Sequence, residues 1–247
     1  MPSALNGTTL TSEEFRDNLA LRFGLTPAGL PTYCGCGRLN SVDHALNCHV
    51  GGLVDQRHDA YNAEWQYLNG VALKPSCIRD RPKLNNGRVS KTAGGTTGDV
   101  GPDLAGDTSS FGFWARGRTA VFDVRVVHTD SPSYLKKPAD EVLAAAEKQK
   151  KRKYCAPCAE SNLSFTPLVV SVDGLFAREH ASANKRLSVL LAEKWRREVS
   201  DTTQFVRARL SFALCRSASR CLRANPDKRA VTPQVGWDSG EGLGLFR

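Results

Sequence analysis

Apolar residues along the chain recur at two spacings, which predict a mixture of helices and strands. Helical spacing is found in the ranges 12–23, 53–68, 138–154, 180–199 and 202–223. Runs of β-branched and aromatic residues predict strands at 111–114, 119–128 and 166–172, and the first two form a candidate hairpin. From 74 to 101, Pro, Asn and Gly residues interrupt these patterns, which indicates a long loop around at most one short strand. This order predicts an α/β fold without an internal repeat.

Composition and charge narrow the class of protein. The chain has 247 residues, of which 40% are hydrophobic, and 34 Lys and Arg against 25 Asp and Glu give a net charge of +9. These proportions are ordinary for globular proteins and argue against collagen-like, disordered or coiled-coil chains. No apolar run approaches the roughly 20 residues of a membrane helix, and the N-terminus lacks the pattern of a secretory signal peptide. We therefore expect an intracellular protein, nuclear or cytoplasmic, without a membrane partner.

A dense group of cysteine and histidine residues lies near the N-terminus. It consists of Cys34, Cys36, His44 and Cys48. Thiolate sulfur and neutral imidazole nitrogen are preferred zinc ligands, and four protein ligands leave no open position, so the group predicts a structural zinc site. The Cys-x-Cys spacing is tight, and His49 offers a competing nitrogen. The alternative interpretation is a cluster of buried thiols.

An aspartate stands in the middle of an otherwise apolar predicted strand. Alternation places Asp123 and Arg125 on the face opposite Phe122 and Val124. Because an unpaired buried charge is costly, Asp123 needs a metal ion or a cation, and Arg125 is the simplest partner. Upstream, Pro102 and Asp103 place another carboxylate at a turn before a strand. Two such oxygen ligands suit a magnesium ion.

The helix predicted at 138–154 ends in a basic run. Within it, Lys150, Lys153 and Tyr154 lie close to one face, because they are three and four residues apart. A lysine directed back at the carboxylates would orient an attacking water and stabilise the charge of a phosphate in transfer. The alternative is a solvated helix end, which the helix dipole favours.

The order of these features resembles that of a known nuclease family. It runs from the Cys/His group through Arg57-His58-Asp59, Pro102-Asp103 and Asp123 to Lys150-x-x-Lys153-Tyr154. It is similar to the restriction-like endonuclease domain of site-specific non-long-terminal-repeat retrotransposons, which has the PD-(D/E)XK nuclease fold. The resemblance covers residues 34–172. It implies a mixed sheet flanked by helices and a metal-dependent endonuclease that nicks target DNA.

The resemblance also implies roles for individual residues. Asp103 and Asp123 correspond to the carboxylates that bind the catalytic magnesium or manganese. Lys150 corresponds to a catalytic lysine that has moved from the strand to the next helix, and Lys151 is its nearest rival. The strand position that usually holds this lysine is Arg125, whose guanidinium stays protonated and cannot act as a base.

Two further residues take roles from the same resemblance. Tyr154 would contact the active-site loop or a phosphate, and His58 would touch the metal or the scissile strand. The alternative for His58 is an ordinary histidine on a helix surface.

Basic residues recur on the two predicted C-terminal helices, opposite the leucines and aromatic residues that would form their buried side. Such a surface could bind a phosphate backbone without reading its sequence, and the alternative is a pair of solvated helix faces. The candidate nucleic-acid-binding residues of the whole chain are Arg57, Arg125, Lys153, Arg207 and Arg209.

These observations predict five segments and one principal function. The segments are an arm or linker at 1–33, a zinc knuckle at 34–50, a restriction-endonuclease-like core at 51–178, a helical pair at 179–225 and a flexible tail at 226–247. We expect DNA as the partner, with RNA as an alternative, and the resemblance allows association with a reverse transcriptase domain. One alternative function is a nucleic-acid-binding module without cleavage activity. A weaker one is a redox protein that uses Cys155 and Cys158, although a Cys-x-x-Cys pair at a helix end favours incidental thiols.

Overall fold

The computed structural model describes residues 3–4, 6–84 and 104–223. The helices of this part are α1 (Ser12–Arg22), α2 (Val42–Asn47), α3 (Leu53–Ala72), α4 (Ala139–Glu160), α5 (Arg178–Trp195) and α6 (Val199–Arg223). The strands are β1 (Ile78–Asp80), β2 (Thr108–Phe111), β3 (Thr119–Val127) and β4 (Ser164–Ser171). None of the described helices is both long enough and apolar enough to cross a membrane.

The strands form one mixed sheet, in the order β1-β2-β3-β4. β1 pairs with β2, and β2 with β3, in antiparallel fashion, whereas β3 and β4 are parallel. A parallel pair needs a crossover connection, and α4 supplies it. β4 is the last strand in the order and tolerates Pro167 because an edge strand has one side without ladder partners. The predicted mixed α/β fold, with a sheet flanked by helices, and the predicted hairpin of β2 and β3 are confirmed.

One face of the sheet carries the main hydrophobic core. Tyr61, Trp65 and Leu68 of α3 are fully buried, at the spacing of one helix face. They join Phe122 and Val124 of β3 in a cluster that also includes leucines of α5 and α6. Burial of these large side chains fixes α3 against the sheet.

α4 covers the other face of the sheet. Val142 and Leu143 pack against Val127 and Val169, near the N-terminal end of the helix. Near its C-terminal end, Tyr154 packs against Val121. The side chains of β3 therefore alternate between two cores, as the sequence pattern predicts.

The N-terminal segment is held to α6 by polar contacts. A capping box of Thr11 and Glu14 starts α1. The buried carboxylate of Asp17 accepts hydrogen bonds from Arg223 (2.7 Å to Nε) and from the hydroxyl of Ser219 (2.5 Å). Burial raises the pKa of Asp17, but these bonds outweigh it and lower the pKa. The range predicted as an arm or linker therefore contains a helix that is docked on the domain.

Several boundaries differ from the sequence prediction. The strand predicted at 111–114 lies at 108–111, because Gly112 adopts a φ of +84° and turns the chain. α4 continues through Pro157 to residue 160, since the buried Cys158 packs its last turn against Val121. α2 was not predicted, and Ser41 caps its N-terminus. The predicted flexible tail at 226–247 lies outside the described residues.

The Asp17 contact leads to a stability prediction. Asp17→Ala removes a fully buried acceptor and takes from Arg223 its one buried carboxylate partner among the described residues, so we expect the free energy of unfolding to fall by about 2–3 kcal/mol. Urea denaturation measures this change. Glu13→Ala is the matched control, because Glu13 is an exposed partner of the same arginine and should cost less than about 1 kcal/mol. Equal losses in the two variants would contradict the assignment.

Candidate active site and metal centre

The four residues predicted to bind zinc lie together. The ligand atoms of Cys34, Cys36, His44 and Cys48 are all within 4.8 Å of one another. The sulfur atoms of Cys34 and Cys48 are 3.7 Å apart. This separation is close to the edge of about 3.8 Å that a tetrahedron has when its zinc–sulfur bonds are about 2.3 Å long. The cluster could therefore bind a zinc ion.

Local backbone structure brings these ligands together. Cys34 and Cys36 lie on a tight turn that closes with a hydrogen bond from Cys34 N to Arg38 O (2.9 Å), and Gly37 has a φ of +83° there. His44 lies on α2, and Cys48 is the residue that ends it. A hydrogen bond from the backbone of Arg38 is the largest of the effects that lower the pKa of Cys36 to about 7, which favours the thiolate that zinc binds. His49, the competing ligand, is exposed and does not belong to the cluster.

The cluster of Cys34, Cys36, His44 and Cys48 is attached to the rest of the domain through α2. Ala45 and Leu46 pack against Leu222 of α6. The buried guanidinium of Arg57 on α3 donates a hydrogen bond of 3.0 Å to the carbonyl oxygen of Leu46, at the C-terminal end of α2. His128, directly after β3, lies 3.6 Å from the carboxylate of Asp43. Through α2, the cluster is therefore connected to the start of α3 and to the end of β3.

A second group of polar side chains lies at the start of β2. Thr108 is the first residue of β2 and pairs with Phe122 of β3. In an antiparallel pair the preceding residue, Asp107, therefore comes opposite Asp123. One oxygen of Asp107 accepts a hydrogen bond of 2.7 Å from the backbone N–H of Val124. Two carboxylates thus meet at the point where β3 loses its antiparallel partner.

Gly106 allows this approach. A Cβ atom at this position would lie 2.5 Å from Cγ1 of Val121 and 3.2 Å from the carbonyl oxygen of Phe122, both on β3. Any larger residue would push the chain away from β3. Glycine at this position is therefore a requirement for placing Asp107 beside Asp123.

His58 of α3 neutralises Asp107. Its Nε2 lies 2.9 Å from Asp107 Oδ2, and its Nδ1 lies 3.0 Å from Asp59 Oδ1. Burial lowers the pKa of His58, but the hydrogen bonds and charges of the two carboxylates outweigh it and raise the pKa to about 9. At neutral pH the ring is therefore charged and donates to both oxygens. The pKa of Asp107 is lowered because its bonds to His58 and Val124 outweigh the effect of burial.

Lys150 of α4 neutralises Asp123. Its ammonium group contacts Oδ2 of Asp123, a carboxylate that is 3% exposed. Burial and the neighbouring charge of Asp107 raise the pKa of Asp123, and Lys150 counteracts only part of this. The phenol of Tyr154 lies beside the same carboxylate, and burial together with the charge of Asp123 raises its pKa far above the usual value. Asp123, Lys150 and Tyr154 therefore form one site.

The other candidate lysine points elsewhere. The ammonium group of Lys151 forms an ion pair with Glu179 at the start of α5. Glu147 lies one turn before Lys151 and accepts a hydrogen bond of 2.8 Å from the backbone N–H of Glu179. Of the two neighbouring lysines, Lys150 alone reaches the carboxylates of the site.

The side chains of His58, Asp107, Asp123, Lys150 and Tyr154 line a groove of about 890 Å³ between the start of α3 and the second half of α4. Its floor is the part of β3 that follows Asp123 and has no pairing with β2. Arg125 lies in the groove and donates a hydrogen bond to the side-chain oxygen of Gln149. Arg152 and Lys153 also line it, on the α4 side. Cationic side chains therefore line the groove next to the carboxylates, mostly on its α4 side.

The remaining predicted residues fall at different places. Asp103 lies outside the described residues. Arg57 is buried beneath α2, and Arg209 forms an ion pair with Glu64 and also donates to the carbonyl of Asn6. Arg207 is exposed on α6 and does not line the groove.

Sequence reasoning missed Asp107. The Gly106-Asp107 pair directly before a strand was the available indication, since it is typical of a tight approach followed by a polar strand end. It could not be used without the register of β2 against β3. Cys158 is buried and its pKa is raised to about 11 by burial, which favours a structural role for this thiol.

Comparison of the chain with models of protein families and with curated proteins finds no match.

The zinc cluster generates a prediction on stability. If the cluster holds zinc, Cys36→Ser removes one of four ligands, so we expect the variant to bind no zinc and its thermal midpoint to fall by roughly 5 °C or more. Because Arg57 connects α2 to α3, hydrogen exchange should also rise in the second turn of α3, which contains Arg57 and whose amides are bonded within the helix. Elemental analysis and exchange mass spectrometry measure the two effects. Cys155→Ser changes an exposed thiol outside the cluster and is the control. Purified protein that lacks zinc and is equally stable would contradict the assignment.

The ion pair of His58 generates a prediction on pH. Because the folded-state pKa is about 9 against an ordinary value of about 6.5, the pair stabilises the fold fully below about pH 6.5 and loses this effect as the pH rises through about 9. NMR should follow the imidazole signal of His58 with a midpoint near pH 9. In Asp107→Asn the midpoint should fall by at least about one unit, whereas Asp55→Asn, at an exposed residue of the same helix, should change it little. A midpoint near 6.5 in the unaltered protein would refute the pairing.

Proposed function

We propose that the protein is a metal-dependent DNA endonuclease with a restriction-endonuclease-like core. The observation that carries the proposal is the meeting of Asp107, Asp123 and the ammonium group of Lys150 in one groove. Hydrolysis of a phosphodiester needs cation binding, an oriented water and stabilisation of phosphate charge. Carboxylates and a lysine in contact can supply these functions.

The donor set fits a divalent cation. Asp107, directly before β2, and Asp123 of β3 offer hard oxygen ligands, and their mutual repulsion would be relieved by a divalent ion. Magnesium or manganese bound there would polarise the phosphate and lower the pKa of the attacking water. Asp103 stays a prediction for a further ligand. The cluster of cysteines and His44 would hold zinc in a structural role, because all four of its positions are protein ligands.

Each of the residues around the carboxylates would have its own role in the reaction. Lys150 would position the water or neutralise the phosphate. Tyr154, whose phenol stays protonated, would donate a hydrogen bond to Asp123 or to a phosphate oxygen. His58 would hold Asp107 in place, since it is bonded to this carboxylate and to Asp59.

The basic wall of the groove suits DNA. Arg125, Arg152 and Lys153 could contact phosphates on either side of the scissile bond. Such contacts carry no sequence information, so we expect weak sequence preference. The order of motifs supports a nicking enzyme of the retrotransposon type, and association with a reverse transcriptase domain belongs to the same proposal.

The alternative is a nucleic-acid-binding module without cleavage activity. It is favoured by Arg125, which occupies the strand position where a catalytic lysine is usual in the resembling family. The two functions differ in one property, because only the nuclease breaks phosphodiester bonds.

Cleavage of supercoiled DNA with magnesium or manganese tests the proposal. We expect metal-dependent nicking that falls about a hundredfold or more in Asp123→Asn and in Asp107→Asn, since each removes a charged ligand. Lys150→Met should cause a similar loss. Lys151→Met is its matched control and should change the rate less than about threefold, because Lys151 pairs with Glu179.

Two outcomes would count against the proposal. DNA binding that weakens with salt, without cleavage under either metal, would support the binding module instead. Cleavage that survives the loss of Asp123 would place the chemistry at another site. Asp103→Asn, measured in the same series, shows whether that carboxylate contributes.

A further inference from the structure

Each carboxylate of the groove already has a cation of its own. Asp107 is bonded to the charged ring of His58, and Asp123 is in contact with the ammonium group of Lys150. The lysine also interacts electrostatically with Asp107. The site is therefore charge-compensated by the protein alone.

A magnesium ion and Lys150 compete for the same oxygen. The ammonium group touches Oδ2 of Asp123, and this oxygen has no other hydrogen-bond partner among the described residues. Magnesium binds oxygen at about 2.0–2.1 Å and needs a lone pair directed at it. Two cations in contact with one buried oxygen would repel each other strongly in this environment.

The side chain of Lys150 can move from Asp123 into the open part of the groove. Its side chain is 21% exposed, whereas that of Asp123 is 4% exposed, so the lysine reaches the carboxylate from the open side of the groove. The open part of the groove also contains the cationic residues Arg125, Arg152 and Lys153. Their charge attracts a phosphate, and it repels the ammonium group of Lys150 as long as no phosphate is bound there.

We propose that Lys150 is an internal counter-ion that leaves Asp123 when a divalent cation binds, so that one event loads the site and releases the lysine towards the phosphate. The inference rests on the proposed function, since it needs a metal at Asp123. Its consequence is that the metal binds weakly without nucleic acid and tightly with it, because a phosphate can receive the released lysine.

Manganese binding to the zinc-loaded protein without nucleic acid tests this inference. Titration followed by electron paramagnetic resonance at about pH 8 measures the affinity. We expect Lys150→Met to tighten binding by about tenfold or more, because it removes a competing charge in contact with the ligand. Lys150→Gln, which keeps a neutral donor, protects the test if the methionine variant does not fold. Asp123→Asn identifies the signal that belongs to this site.

Lys153→Met is the matched control. Lys153 lies on the same helix and lines the same groove, but its ammonium group lies over the ring of Tyr154, 4.7 Å from the ring centre. We expect this variant to change the affinity less than about twofold. An equal gain in Lys153→Met would overturn the inference, because the effect would then be one of general charge.

The remaining outcomes separate the inference from the proposed function. Unchanged or weaker binding in both Lys150 variants, with binding lost in Asp123→Asn, would overturn the inference and leave the nuclease proposal intact. Manganese binding that ignores Asp123, together with no cleavage by the unaltered protein, would overturn both. Tighter binding in the Lys150 variants that Asp123→Asn abolishes supports the inference.

Discussion

The candidate site depends on the length and register of β2. This strand pairs with β3 from Thr119 to Phe122, and Gly112 turns the chain at the Thr119 end. The residue before β2 and the residue after Phe122 are both aspartates, so Asp107 and Asp123 lie opposite each other where the ladder stops. Beyond that point β3 has β4 as its only strand partner among the described residues, and the edge left by β2 becomes the floor of the groove. A longer β2 would fill this space with a paired strand.

Two carboxylates so close together would destabilise the fold without compensation, and each flanking helix supplies one cation. α3 brings His58 to Asp107, and α4 brings Lys150 to Asp123. The helices can do so because their apolar faces are fixed on opposite sides of the sheet, α3 through residues such as Trp65. The hydrophobic cores therefore decide the electrostatics of the groove. A shift of either helix would leave a buried carboxylate unpaired, at a cost of several kcal/mol.

The sequence could predict the parts of this arrangement that are local. Alternation along one strand predicts that Asp123 lies opposite Phe122 and Val124, and Asp123 indeed contacts α4 while those two residues lie in the core with α3. The four Cys and His residues that could bind zinc lie within one short segment, so spacing was enough to find them. Contacts between distant segments could not be predicted in this way. Arg209 is an arginine on an amphipathic helix by pattern, but its partner is Glu64, and only the packing of α3 on α6 brings them together. Asp107 needed the strand register, and composition alone does not distinguish it from other loop aspartates.

Arg125 occupies the strand position at which the nuclease family that the sequence resembles usually has a lysine. A lysine at this strand position would be next to Asp123, but the guanidinium instead reaches across to the neutral oxygen of Gln149, one residue before Lys150. No carboxylate among the described residues pairs with it, so its positive charge stays available at the rim of the groove. The lysine of the adjacent helix occupies the inner position. Under the proposed function Lys150 would act in the hydrolysis and Arg125 would bind a phosphate. A planar, permanently charged guanidinium suits phosphate binding better than a lysine does.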